Sequence, residues 1–349
     1  MFRLCSCHAA LVVAVAWLSL VAGRMVPGAE PPLPGEIRVF VVKYFPVRGA
    51  RIDQSVTGDW GAPLDETRQK TSRLTKEVID ALQEGSRYHG YKDPRARPAL
   101  SYRVVGEVEF LEPLPTVARP GHRVPLTDYR KVVERVNIRS LVETQQVKEV
   151  WLWGYHGGVV DIWESNMASP VGDISNSDRD PHDLPVLGST YTVYHYNYQR
   201  GPSEATENHM HQFEAVWNWV DGRDRTPPDR WGELLFWGKF VGSDGTHKII
   251  RPGCGWSHYP PNAQGDYDWA NKRFVETDIE DWRPDGTGRR QRMNCERWQG
   301  DSLRWFVYWM QNIPGAENGL TYQGRPLTNW WRFIGDFDNS VKQRVRLVQ

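Results

Sequence analysis

The chain of 349 residues predicts an α/β fold: a mostly parallel, mixed sheet flanked by helices, with a loop-rich, Trp-rich C-terminal portion packed on it. Three observations carry this expectation. Apolar runs of strand length alternate with segments of helical period as far as about residue 225. Beyond that point Gly, Pro, Asp and Trp crowd together and the alternation fades. Trp usage is also far above the ordinary, with 17 residues, 15 of them between Trp151 and Trp331.

Residues 37–47 (IRVFVVKYFPV) are β-branched and aromatic and apolar on both faces, as a buried parallel strand is. In 71–84 the period changes: Leu74, Val78 and Leu82 recur every four residues, and Gly85 stands where a helix stops. A strand is expected at 100–111, after which Pro125, Thr127 and Asp128 open a second helix running to Glu143. Residues 147–154 (VKEVWLWG) and 191–198 (YTVYHYNY) are two further strands, and 203–220 is a third helix. The order β-α-β-α-β-β-α favours an open sheet over a closed eight-fold barrel, because the alternation does not continue. In the tail only 301–311 has a helical pattern, with Leu303, Phe306, Val307 and Met310 on one side. Residues 30–349 carry no repeat and are expected to form one domain, 30–225 as its sheet-and-helix core and 226–349 as its loop-rich portion.

The first 29 residues read as a signal peptide and leader. Arg3 gives a positive start, residues 9–23 are apolar but too short to span a bilayer comfortably, and Ala22 and Gly23 offer a cleavage point. A secreted, extracellular or periplasmic protein with no membrane span after signal removal is expected. Cys5 and Cys7 leave with the signal, and Cys254 and Cys295 remain to pair as a disulfide in an oxidising compartment. The other use of Cys254, as a nucleophile beside His258 or His156, needs a free thiolate. With 43 basic and 43 acidic side chains the formal net charge is zero, which argues against a nucleic-acid partner.

Candidate chemistry gathers in three places. In 200–214 (RGPSEATENHMHQFE), Glu204, Glu207, His211 and Glu214 fall within an arc of about 80° on one helix face, while His209 points the other way. Carboxylates packed side by side repel, and a divalent metal, an Arg or a shared proton relieves that repulsion. The segment 155–167 (YHGGVVDIWESNM) follows the VKEVWLWG strand, so His156, Asp161 and Glu164 are expected in the crevice at the carboxyl ends of the strands, where Arg200 also arrives. In 173–183 (DISNSDRDPHD), Asn176, Asp178, Asp180 and Asp183 are spaced as oxygen ligands of Ca²⁺ could be, or as ordinary turn residues are.

These patterns point to a secreted hydrolase acting on an extracellular carbohydrate, glycoconjugate or other small extracellular substrate. In a glycosidase-type site Glu164 and Glu204 act as acid/base or nucleophile, with His156 and His211 as partners. In a metal-dependent site His156, Glu207 and His211 bind Zn²⁺ or another divalent ion and Glu204 is the base. Arg200, Trp163, Trp256 and Trp269 are candidate substrate-binding groups, since flat rings beside polar residues suit sugars. The alternative is a non-catalytic carbohydrate-binding or surface-attachment protein using a Trp-rich face. No Gly-rich phosphate loop, HExxH helix, GxSxG elbow or CxxC pair occurs, so no nucleotide cofactor is expected.

Overall fold

The first strand, Glu36–Tyr44 (β1), is buried along its whole length, so its continuous apolar run meets protein on both faces as a central parallel strand must. A computed structural model describes residues 35–161, 163–244, 249 and 251–349. The leader at 1–29, with Cys5 and Cys7, lies outside the described residues. Helix Leu64–Gly85 (α1) follows, beginning earlier than its apolar period suggests because Asp65 and Glu66 favour the first turn. Its Leu74, Val78 and Leu82 are buried. Strand Ser101–Phe110 (β2) comes next, then helix Tyr129–Arg135 (α2), capped by Asp128, whose carboxylate accepts from Lys131 N–H at 3.1 Å. The expected helix to Glu143 breaks at Asn137, which adopts φ 52°, and one π-helical stretch resumes at Ser140–Thr144.

Strands Glu149–Gly154 (β3), Ser165–Ser169 (β4), Gly172–Asp173 (β5) and Tyr191–Asn197 (β6) complete a six-stranded sheet in the order β2-β1-β3-β6-β4-β5. The pairs among β2, β1, β3 and β6 are parallel, and β6–β4 and β4–β5 are antiparallel. The fold is therefore α/β with a mostly parallel, mixed sheet. β4 has the sequence SNMAS, without the β-branched and aromatic residues that mark strands, and it forms by pairing with β6.

Helix Pro202–Asp221 (α3) packs on the sheet and on the C-terminal portion, where helix Ser302–Met310 (α4) is the longest element. Both portions share one apolar core running from Ile37 to Leu347. Among the described residues no helix is long and apolar enough to cross a membrane.

The expected disulfide is not formed. Cys254 and Cys295 are buried free thiols. Each is fixed in its own turn: Cys254 N–H donates to Phe240 O at 2.9 Å, while Cys295 N–H donates to Asn271 O and its thiol to Ala270 O, both at 3.3 Å. The hairpin of Val275–Thr277 with Gln291–Met293 closes the intervening chain without a covalent bond. Burial pushes the Cys254 thiol well up, so the nucleophile reading has no support.

Candidate metal centre

α3 is built to present different chemistry on opposite faces. Gly201 and Pro202 start it, and Glu204 turns back as a cap, its Oε2 accepting from Gly201 N–H at 3.2 Å and Ser203 Oγ at 3.1 Å. His209 faces the sheet, stacked on Tyr194 at 3.9 Å and bonded to the Tyr196 hydroxyl at 2.6 Å. Burial holds that imidazole well below its ordinary pKa. On the other side Glu207, His211 and Glu214 meet residues 255–258.

That turn depends on Gly255, whose φ is 75° and where a Cβ would lie 2.2 Å from Tyr259 O. Trp256 and Tyr259 exchange backbone hydrogen bonds of 3.0 Å. Three indoles pin it from behind: Trp309 Nε1 donates to Gly255 O at 2.9 Å, and Trp269 and Trp305 both donate to Ser257 O at 3.0 Å. His258 is thereby carried to the helix.

His258 Nε2 lies 2.7 Å from Glu207 Oε1 and 3.0 Å from His211 Nε2, and His211 Nε2 lies 3.6 Å from Glu207 Oε1. Ligands held on one ion at ~2.1 Å stand about 3.0–3.4 Å apart, so these three atoms have the spacing of a coordination set. The far nitrogens are backed by acids. His211 Nδ1 lies 3.1 Å from Ser257 Oγ and 3.5 Å from Glu214 Oε2, and Asp266 Oδ1 is 3.5 Å from His258 Nδ1. Carboxylates so placed favour the Nδ1–H tautomers, which aim both Nε2 lone pairs at the same point as Glu207. Positive charge is required there, as a proton or as a metal ion.

Without an ion, a proton supplies that charge. Burial would raise the Glu207 carboxyl, yet hydrogen bonds from His211 and His258 hold it down at about 2. Burial would lower His211, yet hydrogen bonding to Glu207 and Glu214 raises it well above the ordinary imidazole range. Among the described residues, Glu207, His211 and His258 are the one group of three whose ligand atoms could close on an ion.

His211 and His258 open onto a cavity of about 510 Å³, also lined by Glu164, Asn176, Arg223 and Trp256. Glu164 precedes β4 at the carboxyl end of β6, its carbonyl accepting from His195 N–H at 3.1 Å. Asn176 Nδ2 donates to Glu164 Oε2 at 2.9 Å. Glu164, His211, Glu207 and Trp256 are thus brought together.

Other candidates are placed elsewhere. His156 donates from Nδ1 to Val160 O and from its backbone to Gln199 Oε1 at 3.0 Å; neither it nor Glu204 lines the cavity. The strand ends near His156 are filled by the chain at 57–59: Gly157 has φ 48° and a Cβ there would sit 1.9 Å from Thr57 O. Arg200 is exposed, 3.7 Å from Glu204. Trp163 is buried against Tyr129, with the Arg119 guanidinium 4.4 Å from its ring. Trp269 acts behind the His258 turn.

The proposed Ca²⁺ ligands do not converge, because each already has its own partner. Asn176 holds Glu164, Asp178 lies 3.9 Å from His122, Asp180 pairs with Arg119, and Asp183 is buried against Asn166. Burial pushes Asp183 up to about 6. The member of this group that sequence reasoning missed is His258. Only its flanking Gly255 and Trp256 hinted at a built turn, and nothing local tied it to α3 across 47 residues.

No protein-family model matches this chain, and no curated protein matches it.

Proposed function

We propose that the chain is an exported, divalent-metal-dependent hydrolase acting on a carbohydrate or glycoconjugate, with Glu207, His211 and His258 as metal ligands and Glu164 as general base. One observation carries this reading: Glu207 Oε1, His211 Nε2 and His258 Nε2 converge to within 3.6 Å of one another beside an open cavity, with an acid behind each imidazole. Two nitrogens and a carboxylate oxygen are a donor set that suits Zn²⁺, which Glu207, His211 and His258 would hold. A divalent ion supplies Lewis acidity and lowers the pKa of water.

Glu164 then takes the proton of the attacking water and passes it to the leaving oxygen. Water is divided across the scissile bond, hydroxyl to the electrophilic centre and proton to the leaving group. Asn176 fixes one oxygen of Glu164, and the other has no hydrogen-bond partner among the described residues. Trp256 and Trp237 are buried in the wall of the cavity and give it an apolar side. The apolar, Arg-started leader supports export. A purely binding role would call for an exposed row of rings, and no Trp is among the exposed large apolar side chains of the described residues.

The test is release of reducing ends from a panel of neutral and acidic oligosaccharides. Turnover should depend on zinc and stop with a chelator. Glu164→Gln should lower kcat at least ~100-fold with zinc affinity unchanged. Turnover that survives both the chelator and Glu164→Gln overturns the proposal.

A further inference from the structure

At the C-terminal end of α3, Gly222 adopts φ 84° and turns the chain so that Arg223 enters the wall of the same cavity. Its guanidinium stacks on two indoles, 5.1 Å from the Trp231 ring centroid and 4.8 Å from that of Trp237. Burial lowers its pKa, though an Arg stays charged at any working pH. Among the described residues it has no ion pair or hydrogen-bond partner of its own. Its neighbours are already committed: Arg179 holds Asp224 at 2.8 Å, and Glu214 accepts from Ser257 N–H at 2.9 Å.

Among the described residues the Arg223 N–H groups meet no protein acceptor, and they are open to the cavity, where the oxyanion of a ligand can replace the water around them. Stacking through its faces leaves the planar N–H edges free and holds them in one orientation, which is the geometry that forks onto an oxyanion. The cavity holding this group also holds the two imidazoles and Glu164, and its volume of about 510 Å³ accommodates a sugar unit.

We infer that Arg223 is an oxyanion-recognition group and that the substrate is an acidic saccharide, bearing a carboxylate, sulfate or phosphate. This rests on the reading of the cavity as the substrate site of a metal-dependent hydrolase. The acidic group sits on the Arg223 edge while the bond to be cut lies toward Glu164 and the imidazoles. Neutral sugars lack the group that Arg223 pairs with. They are therefore discriminated against by the loss of a charge-assisted hydrogen bond, about 10- to 100-fold in affinity.

The experiment is calorimetric titration of glucuronate, glucose 6-sulfate, glucose 6-phosphate and glucose into the protein, with zinc and after chelation. At least one acidic sugar should bind ten-fold or more tightly than glucose, and which one does so identifies the oxyanion. Arg223→Gln should erase that preference with zinc affinity unchanged, and Arg223→Lys should restore part of it. His258→Ala should keep the preference in the zinc-free protein. Equal binding of glucose and all three acids, or a preference retained in Arg223→Gln, overturns the inference. Zinc binding without acid preference sinks this inference alone, and acid preference without zinc binding sinks the metal-centre proposal instead. Unchanged zinc affinity and circular dichroism in Arg223→Gln show that a lost preference is not a lost fold.

Discussion

The two portions of the molecule solve the same problem differently. In the sheet portion, backbone groups pair in ladders, and the Trp side chains of the strands donate to side chains, Trp151 to the Glu149 carboxylate at 2.7 Å and Trp153 to Thr75 Oγ1 at 2.9 Å, while Trp217 of α3 reaches across the seam to Trp330 O at 3.0 Å. In the C-terminal portion regular structure is scarce, so buried carbonyls need other donors. There the indoles supply them: Trp298 donates to Trp269 O at 2.6 Å, Trp282 to Lys239 O and Trp330 to Leu347 O at 3.0 Å, and Trp309 to Gly255 O at 2.9 Å. The excess of Trp is thus a hydrogen-bonding framework as much as an apolar filling. The candidate metal centre lies on the seam, with two of its three side chains from α3 and one from an indole-pinned turn.

This contrast can be broken from either side. The sheet portion carries the largest expected effect, through Glu149. Burial pushes its carboxyl up to about 8, against the lowering influence of Trp151 and Lys148. The folded state therefore keeps a proton that the unfolded chain releases above its ordinary pKa of 4.5. Stability should fall as pH rises from 5 to 8, by an amount of the order of 2–4 kcal/mol, and Glu149→Gln should flatten that slope. Urea melts across this range read it, and zinc affinity should be unaffected by the substitution.

On the other side, Gly255→Ala puts a Cβ 2.2 Å from Tyr259 O at φ 75°. It should cost about 2–3 kcal/mol in urea melts and weaken zinc binding about ten-fold, because it displaces the turn carrying His258. A smaller effect is expected from Trp309→Phe, which leaves the ring surface but removes the donor to Gly255 O. The cost should be about 1–2 kcal/mol, with zinc affinity down several-fold. If Trp309→Phe costs nothing, the indoles of the C-terminal portion are filler and the contrast fails.

The same division explains what the sequence discloses. The all-buried runs of β1 and β3 and the four-residue spacing of Leu74, Val78 and Leu82 in α1 are periodic, so they can be read locally. The polar strand β4 and the break at Asn137 have no such period. At the centre, Glu207 and His211 are visible as an i, i+4 pair on one helix face. His258 is not, since its approach is fixed by Gly255 and by indoles at Trp269, Trp305 and Trp309, contacts between residues distant in the chain. Glu204 looked like a catalytic acid because it shares the arc of Glu207 and His211, but its place in the first turn makes it a cap.

The central claim is that Glu207, His211 and His258 form a cation site across the seam. Equilibrium titration of the chelated protein with Zn²⁺ tests it most directly. One equivalent should bind, and Glu207→Gln, His211→Ala and His258→Ala should each weaken binding at least ~100-fold while His156→Ala leaves it unchanged. A wild-type protein that takes up no divalent ion, or a His258→Ala variant that binds it as tightly as wild type, would contradict the account.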